Sequence, residues 1–387
     1  MLKTTKAQKA TKKAAKRTKQ TQVPLQACPE ALFSQARALI LSPPAALQVE
    51  EIAPEFITVS VDGLFELELE IVTPGVLVAA SCHQKVVIPA VPATYVSARL
   101  ELVHLLRRWY QFEKVLGNGC FAETLLFTTK CSGRKRNKIA VKTLYNVSQN
   151  QEMFKKFELE VERMEKLKGY GHVVQINRAK VYGDHYAIFM EYADEGTLQS
   201  FMSQDLTKNG LSEKFVSNLV FELTLGMAAC EKEGIVHCDI KEDNIFVHSN
   251  RGFLIGDFGQ AKSGPSFEYT KNMTLQSWLY RSPEACVQEG VYGHGIDVFC
   301  LGPLAIMMLS GLGLKFTTGY ESDLELALQE ILGDEYRDSE SMRSFLAAVL
   351  VSDPAQRPSA MELLEHEWFA KFLDRPRYKK SLAKLRG

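Results

Sequence analysis

The sequence has few of the features that mark secreted or membrane-bound proteins. Its 387 residues include eight cysteines, but no two of them have the Cys-x-x-Cys spacing of a paired metal site, which favours a reducing compartment. No apolar run is long enough to span a bilayer, and the N-terminus lacks the apolar stretch of a secretory signal. We therefore expect a soluble protein of the cytoplasm, with the nucleus or delivery into a host cell as alternatives.

Acidic residues are missing from the first twenty positions, which contain eight lysines or arginines. Because the whole chain has 46 basic and 46 acidic residues, the remainder carries a net charge of −8. A segment of Lys, Thr, Ala and Gln cannot bury apolar surface, so we expect residues 1–23 to form a disordered basic tail. Through residues 1–20 such a tail can bind nucleic acid or an acidic surface, serve as a nuclear address, or simply be solvated.

Residues 24–105 form a region of unassigned role. The stretches FITVSV (56–61) and FELELEI (65–71) alternate apolar and polar residues around Asp62-Gly63, which predicts a β-hairpin. More strand is expected near residues 76–78 and 86–88, and residues 97–109 have helical spacing, with Leu100, Val103, Leu105 and Leu106 apolar. The region is either a small regulatory or targeting domain or an elaboration packed on the next domain of the chain.

The strongest chemical signal is the string HCDIKEDN (237–244), followed by DFG at 257–259. Transfer of a phosphoryl group needs carboxylate and amide oxygens to hold Mg²⁺, and a further carboxylate to receive the proton of the attacking hydroxyl. Asp257 and Asn244 suit the metal, and Asp239 suits the hydroxyl. Either string alone is also compatible with a strand-to-turn junction or a helix cap, but the pair in this order favours phosphoryl transfer.

A glycine-containing segment, LGNGCFA (116–122), lies between two apolar stretches that we expect to be strands. Gly117 and Gly119 would let backbone N–H groups approach the phosphates of ATP, since glycine has no Cβ. Lys142 ends the β-type segment IAVK and is placed to reach the α- and β-phosphates. Glu160 lies at the edge of the apolar face of the following helix, which permits an ion pair with Lys142.

From about residue 109 to residue 373 the sequence resembles the eukaryotic-type protein kinase family. The resemblance implies an α+β bilobal fold with a small β-rich N-lobe and a larger helical C-lobe, here with an N-terminal β-containing extension. It places the kinase domain at residues 106–374 and leaves residues 375–387 as a basic C-terminal tail. It assigns the cofactors ATP and Mg²⁺, protein substrates, and the following site residues: Asp239, Lys241, Lys142 and Glu160 for catalysis, and Asn244 and Asp257 for the metal.

Further family motifs are present in the C-terminal half. The Ala-Pro-Glu element appears as SPE (282–284) and the later Asp-Pro-x-x-Arg-Pro element as DPAQRP (353–358). In the family the glutamate and arginine of these elements form a buried ion pair, which implies a Glu284–Arg357 pair here. The string DVFCLG (297–302) resembles the start of the central C-lobe helix, whose aspartate, Asp297, would brace the catalytic loop.

The nucleotide base needs an apolar slot with a backbone edge, and IFMEYA (188–193) offers an apolar strand that leads into a polar turn. By resemblance this is the hinge. Met190 would lie at the back of the adenine pocket, and the backbone of Glu191 and Ala193 would bond the adenine edge. Taken alone, these six residues fit a buried strand with a polar end equally well.

Two features bear on the hydroxyl that is phosphorylated. Lys241, two residues after Asp239, is similar to the loop of serine/threonine kinases. The stretch TLQSWLYRSPE (274–284) resembles the activation segments of dual-specificity tyrosine-regulated and homeodomain-interacting kinases, and Ser277 takes the position that bridges the catalytic aspartate and lysine. We therefore expect phosphorylation of serine or threonine.

The sequence also departs from the family pattern. Ala122 replaces the third glycine of the phosphate loop, and Cys238 stands where most regulated kinases have an arginine that meets an activation-loop phosphate. Cysteine cannot bind that phosphate, so we predict activity without phosphorylation of the loop. Two alternatives stay open: a pseudokinase scaffold that binds nucleotide or partners without efficient transfer, and a small-molecule kinase. The sequence does not indicate the oligomeric state.

Overall fold

The computed structural model contains two compact units, Met1–Val96 and Ser97–Gly387. In the first unit it describes the backbone of residues 47–53, 56–61, 65–73, 76–79, 87–89 and 93–96. In the second unit it describes residues 97–118, 122–130, 136–203, 210–270, 276–287, 290–311 and 339–387. The predicted basic tail, residues 1–23, lies outside the described residues.

The first unit contains a five-stranded antiparallel sheet in which each strand pairs with the next along the chain. Val61 lies opposite Phe65, so the two stretches expected to form a hairpin do pair, although the residues between them lie outside the described part. The alternation of apolar and polar residues suits strands of a sheet with two unlike faces. The strands are β1 Leu47–Ala53, β2 Phe56–Val61, β3 Phe65–Thr73, β4 Val76–Ala79 and β5 Val87–Pro89.

Helix α1, Ala93–Leu106, starts before and ends before the helix expected at residues 97–109. Its buried side is formed by Ala98, Leu102 and Leu106, which recur every four residues, whereas Leu100 is 65% exposed. Residues from Ser97 onward belong to the second unit. The compact unit therefore starts before residue 106, the expected boundary, because Leu102 and Leu106 are buried in it.

The N-lobe is a five-stranded antiparallel sheet with the order β6-β7-β8-β10-β9, together with helix α2. Strand β8 lies between β7 and β10, with Lys142 paired to Thr124 on one side and to Ile188 on the other. This arrangement places the lysine centrally in the sheet. The elements are β6 Tyr110–Asn118, β7 Ala122–Thr129, β8 Lys138–Leu144, α2 Gln151–Lys166, β9 Ile176–Tyr182 and β10 His185–Glu191.

The C-lobe is mainly helical and is built around two buried helices that contact each other, α4 at Glu213–Lys232 and α6 at Gly295–Ser310. Both helices are apolar on nearly all sides, as expected for helices in the interior of a lobe. The described helices are α3 Leu198–Met202, α4 Glu213–Lys232, α5 Pro283–Val287, α6 Gly295–Ser310, α7 Glu340–Val349, α8 Ala360–Leu363, α9 Ala370–Leu373 and α10 Pro376–Arg386.

Three short strand pairs carry the loops of the C-lobe. The first pair joins β11, which precedes the catalytic loop, to β14, which follows Asp257, and the second, β12 with β13, connects the catalytic loop to Asp257. The third, β15 with β16, holds part of the segment after Asp257. The strands are β11 Ile235–Val236, β12 Ile245–His248, β13 Gly252–Ile255, β14 Lys262–Ser263, β15 Ser266–Glu268 and β16 Val291–Gly293.

The C-terminal residues expected to be only a basic tail form helix α10. Tyr378, Leu382 and Leu385 are buried on one side of this helix, and the hydroxyl of Tyr378 donates to buried Glu222 of α4 at 2.6 Å. Their spacing of four and three residues puts them on one face, while most of the basic side chains are exposed. The segment therefore belongs to the C-lobe core. Within the ranges that the structure describes, no helix is both long and apolar enough to cross a membrane.

Candidate active site

A buried carboxylate of α6 holds the backbone of the catalytic loop. Asp297, which is 3% exposed, accepts hydrogen bonds from the N–H groups of His237 at 2.6 Å and of Cys238 at 2.8 Å. Cys238 has a left-handed backbone with a φ of 67°, so the chain turns sharply just before Asp239. The contact matches the bracing position that the family resemblance assigns to Asp297.

Three side chains hold the carboxylate of Asp239. Lys241 Nζ donates to Oδ2 at 2.7 Å, and Asn244 Nδ2 donates to the same oxygen at 2.9 Å. Ser277 Oγ donates to Oδ1 at 3.2 Å. Because a carboxylate can accept about four hydrogen bonds, Asp239 is oriented and still has capacity for a further hydroxyl.

A second cluster joins the two lobes through Lys142. Its Nζ lies 2.7 Å and 2.9 Å from the carboxylate oxygens of Glu160 on α2, and 2.8 Å from Oδ1 of Asp257. Glu160 is 2% exposed and lies on the side of α2 that also buries Met164. The ion pair that the sequence permits is therefore formed, and Asp257 joins it from the C-lobe.

Lys142 and Asp257 shift each other's pKa. Burial acts to lower the pKa of Lys142, but the carboxylates of Asp257 and Glu160 outweigh it and raise that pKa above its ordinary value. The charge of Lys142 lowers the pKa of Asp257 to about 2. Lys142 is thus cationic and Asp257 anionic at neutral pH, which suits contact with phosphate and with a divalent cation respectively.

The backbone at Asp257 is set by its neighbour Phe258. The Phe258 ring is fully buried and packs edge-to-face on the His237 ring, with 5.0 Å between ring centroids. Asp257 has a left-handed backbone with a φ of 61°, and its Oδ1 accepts from the N–H of Gly259 at 3.4 Å. The buried ring anchors the turn, so the carboxylate stays in the cleft.

The residues expected to hold Mg²⁺ are a carboxylate and an amide that both border the cleft. Asn244 donates its Nδ2 to Asp239, which leaves its Oδ1 as the atom suited to a cation. Among the described residues, no group of three or more His, Cys, Asp or Glu side chains could hold a metal ion by itself. A hard cation here would therefore need phosphate oxygens as additional ligands, which is how Mg²⁺ commonly binds in nucleotide sites.

Between the lobes lies a cleft of about 560 Å³. This volume lies in the range of small-molecule sites, and polar groups converge at one end of it. The segment around Gly119 lies outside the described residues, so the position of this glycine stays a prediction. The predicted site residues that line the cleft are Gly117, Lys142, Glu160, Met190, Glu191, Ala193, Asn244 and Asp257.

The hinge is held by contacts that no sequence motif indicates. The N–H of Glu191 donates to the carbonyl of Gln175 at 3.0 Å, so an adenine bond at Glu191 would fall to its carbonyl oxygen. The side chain of Glu191 accepts from the N–H of Gln175 at 2.6 Å and pairs with Arg251. Arg251 also donates to the carbonyl of Gly171 at 2.5 Å. These contacts fix the turn between the lobes.

Arg163 of α2 reaches into the segment after Asp257. Its NH1 donates to the carbonyl of Phe258 at 3.3 Å, and its Nε donates to Oγ of Ser263 at 3.4 Å. The residue is only 6% exposed. A guanidinium from the N-lobe thus binds the start of the activation segment, which by resemblance runs from Asp257 to Glu284. This contact is close to Cys238, which replaces the family arginine.

Gln276 holds the end of the same segment. Its N–H donates to the carbonyl of Cys238 at 2.9 Å, and its Nε2 donates to the carbonyl of Ile296 at 2.6 Å. Its Oε1 accepts from the N–H and the hydroxyl of Ser282 at 3.0 Å and 3.1 Å. One buried amide therefore ties the catalytic loop, α6 and the SPE element together.

The SPE element is also fixed by the expected ion pair. Arg357 donates to the two carboxylate oxygens of Glu284 at 2.6 Å and 2.7 Å, and its side chain is fully buried. It further donates to the carbonyls of Gly295 and Val351 at 2.9 Å and 2.6 Å. The arginine connects the activation segment to the base of the C-lobe.

Comparison with known proteins gives the same picture. The family model described as "Protein kinase domain" matches residues 110–369. The chain is 26% identical over 275 residues to human NUAK family SNF1-like kinase 1, an alignment that covers 68% of this chain and 39% of the relative. It is 31% identical over 205 residues to human mitogen-activated protein kinase kinase kinase 4, covering 50% and 12% respectively.

A third relative is calcium/calmodulin-dependent protein kinase type 1 of Caenorhabditis briggsae, 25% identical over 285 residues, with 68% of this chain and 74% of the relative covered. The chain thus spans well under half the length of the first two relatives. None of these three is a dual-specificity tyrosine-regulated or homeodomain-interacting kinase, so that local likeness stays a prediction.

Proposed function

The chain belongs to the protein kinase family, and we propose that it transfers the γ-phosphoryl group of ATP to serine or threonine hydroxyls of proteins. The observation that carries this proposal is the carboxylate of Asp239, held by Lys241, Asn244 and Ser277, of which Asn244 also lines the cleft together with Lys142. A scaffold without transfer has no need to orient this carboxylate so fully. The contact of Lys241 with Asp239 supports the serine/threonine assignment.

Each charged group has a role that its position supports. Asp239 orients the substrate hydroxyl and accepts its proton, and Lys241 steadies the γ-phosphate. Lys142 binds the α- and β-phosphates while Glu160 holds it in place. Mg²⁺, when bound, neutralises negative charge on the phosphates. Asp257 and Asn244 would hold the ion, through the carboxylate of the first and the Oδ1 of the second.

The binding of the adenine base is assigned to the hinge. Met190 and Ala193 line the apolar end of the cleft, and the carbonyl of Glu191 offers an acceptor. Gly117 also lines the cleft, and a Cβ added there would meet no atom within 4 Å. A phosphate can therefore approach the backbone at Gly117 without hindrance from neighbouring side chains.

We further propose that the activation segment needs no phosphate to be ordered. Burial raises the pKa of the Cys238 thiol, so this residue is neutral and cannot attract a phosphate. Arg163 and Gln276 instead bind the two ends of the segment by hydrogen bonds that are already made. Between these two ends of the segment lies strand β15, which pairs with strand β16.

The basic N-terminal segment is assigned to binding. We propose that residues 1–23 bind nucleic acid or another acidic surface through residues 1–20. The charge of the first twenty residues supports this assignment. A test is the loss of binding to heparin and to anionic vesicles when residues 1–23 are removed.

The transfer reaction is tested with the purified full chain, labelled ATP, Mg²⁺ and a mixture of generic proteins, followed by phosphoamino-acid analysis. Asp239→Asn should keep ATP binding and lose about 10²–10⁴ in rate. Asp374→Asn, an exposed aspartate of the C-lobe, is the matched control and should retain the parental rate. ATP binding with transfer no faster than that of Asp239→Asn would support the scaffold alternative.

Phosphate independence is tested separately. The protein is treated with phosphatase, the bare segment is confirmed by mass, the phosphatase is removed, and initial rates are measured before self-phosphorylation proceeds. The rate should stay within about threefold of the untreated protein. A loss of more than about tenfold, equivalent to about 1.4 kcal/mol of barrier, would indicate that a phosphate near Ser263 is bound by Arg163 or Lys262.

A further inference from the structure

Helix α1 contacts the strand after the phosphate loop through one ion pair. Arg99 of α1 donates its Nε to Oε2 of Glu123 at 2.8 Å and its NH2 to Oε1 at 2.5 Å. Glu123 is 1% exposed and lies in β7. This two-point contact is the geometry in which arginine binds a carboxylate most firmly.

Glu123 lies on the side of β7 away from the nucleotide. Its neighbours Ala122 and Thr124 both line the cleft, and side chains alternate between the two faces of a strand. The carboxylate therefore lies behind the wall that faces the nucleotide. On that side it also accepts a hydrogen bond from the hydroxyl of Tyr145 at 2.8 Å.

Arg99 is the cation that contacts the buried carboxylate of Glu123. Burial raises the pKa of the Tyr145 phenol, so this group is neutral and only donates a hydrogen bond. A buried carboxylate is strongly disfavoured without a cation nearby. If Arg99 is lost, the Glu123 carboxylate is left buried without its cation, and the rearrangement that relieves this shifts β7 at Ala122 and Thr124.

Helix α1 is in turn docked firmly on the N-lobe. Leu102 and Leu106 are fully buried, and Glu101 Oε2 lies 3.4 Å from Nε2 of buried His185 at the start of β10. The helix is therefore a part of the N-lobe that carries Arg99 at a fixed position, although it precedes the residues matched by the kinase family, 110–369.

We propose that Arg99 is a positioning residue of the kinase, which holds β7 in the place where its other face binds the nucleotide. The inference rests on the proposed function, because it concerns the same cleft. It implies that the catalytic unit begins with α1, and that whatever displaces this helix weakens ATP binding.

The test compares steady-state kinetics of the full-length parent protein, Arg99→Ala, Glu123→Gln and the double variant. Arg99→Ala should raise KM for ATP by about fivefold or more with kcat changed by less than about twofold, because binding of substrate and transition state is weakened alike. Arg99→Lys, which reaches one oxygen instead of two, should recover part of the affinity. Arg108→Ala, an exposed arginine just after the helix, is the control and should match the parent.

Glu123→Gln keeps the shape of the side chain and removes the buried charge, so this variant folds without a counter-ion. It should also raise KM for ATP, and adding Arg99→Ala to it should have little further effect, because the pair acts as one unit. A parental KM in Glu123→Gln, or equal effects of Arg99→Ala in both backgrounds, would overturn the proposal even if Arg99→Ala alone cannot be purified.

Hydrogen exchange of residues 122–129 supplies a readout that does not depend on catalysis. Exchange there should be faster in Arg99→Ala than in Arg108→Ala, without nucleotide present. If the parent protein neither binds nor uses ATP, the proposed function fails. If the parent is active but the variants match it in KM and in exchange, only the positioning role of Arg99 fails.

Discussion

Gln276 offers the sharpest test of how the activation segment is ordered. The change Gln276→Ala removes a side chain that is 2% exposed and leaves the N–H and hydroxyl of Ser282 without their partner, while the Ile296 carbonyl loses one of its donors. Glutamine and alanine both have a Cβ. The left-handed backbone at position 276, with a φ of 54°, is therefore equally strained before and after the change.

The expected magnitude comes from the lost hydrogen bonds. A buried polar group left without a partner costs about 1–3 kcal/mol, and the Ser282 N–H and hydroxyl together cost about 2–6 kcal/mol. At the lower limit, about 2 kcal/mol, the ratio of ordered to open segments falls about thirtyfold, since each 1.4 kcal/mol is a factor of ten, and kcat/KM falls with it when the two states are comparably populated in the parent. This magnitude applies if the segment, rather than the whole C-lobe, absorbs the cost.

The assay is kcat/KM for phosphatase-treated protein, with the thermal midpoint measured in parallel. Gln276→Ala should lose about thirtyfold or more in kcat/KM, and proteases should cleave residues 260–284 faster. Gln276→Glu keeps the acceptor for Ser282 and loses the donor to Ile296, so its activity should be intermediate. Gln356→Ala removes an exposed amide that bonds Asp353 and serves as the control. Activity of Gln276→Ala within about threefold of the parent would refute the view that this amide orders the segment.

Lys142→Met removes the cation that faces the phosphates, so transfer should fall by at least about 10²-fold, while circular dichroism stays that of the parent protein; retention of transfer would contradict the assigned role. Removing residues 375–387 exposes the surface under Tyr378 and should lower the thermal midpoint by about 5 °C or more, whereas removal of residues 1–23 should leave it unchanged. Iodoacetamide at pH 8 should label exposed Cys286 and spare Cys238, because burial raises the pKa of the Cys238 thiol; equal labelling, read by peptide mass, would mean that the catalytic loop opens.

The catalytic motifs HCDIKEDN and DFG could be interpreted from the sequence, because the residues of each motif lie within a short stretch of chain. Asp239, Lys241 and Asn244 lie within one short loop, and Asp257 comes after the hairpin β12–β13, in which Ile245 pairs with Ile255. Over so few residues, the chemistry of phosphate and metal restricts which side chains can serve. The alternation that predicted the hairpin β2–β3 is equally local, because each strand residue sets the face of the next.

The partners of the activation segment could not be predicted in this way. Arg163 is one polar residue of a helix, and only packing reveals that its guanidinium reaches Phe258 across 95 positions of sequence. Gln276 lies in a family-like stretch of sequence that gives no indication of its contact with Ile296. Glutamine and arginine occur mostly on surfaces, so the sequence alone favours exposure for both.

The limits of the catalytic unit were also decided by tertiary structure. Helices α1 and α10 lie outside the family motifs, and their composition is compatible with a linker and a basic tail. Leu106 and Tyr378 are fully buried because neighbouring elements cover them. The residue types and local spacing by themselves determined which family the chain resembles, and they predicted the chemistry proposed for it and the loop that would perform it. The side chains that hold that loop, the strand behind the nucleotide and both ends of the kinase unit were decided by long-range packing, since a hydrogen bond between residues distant in sequence depends on where the whole fold brings them.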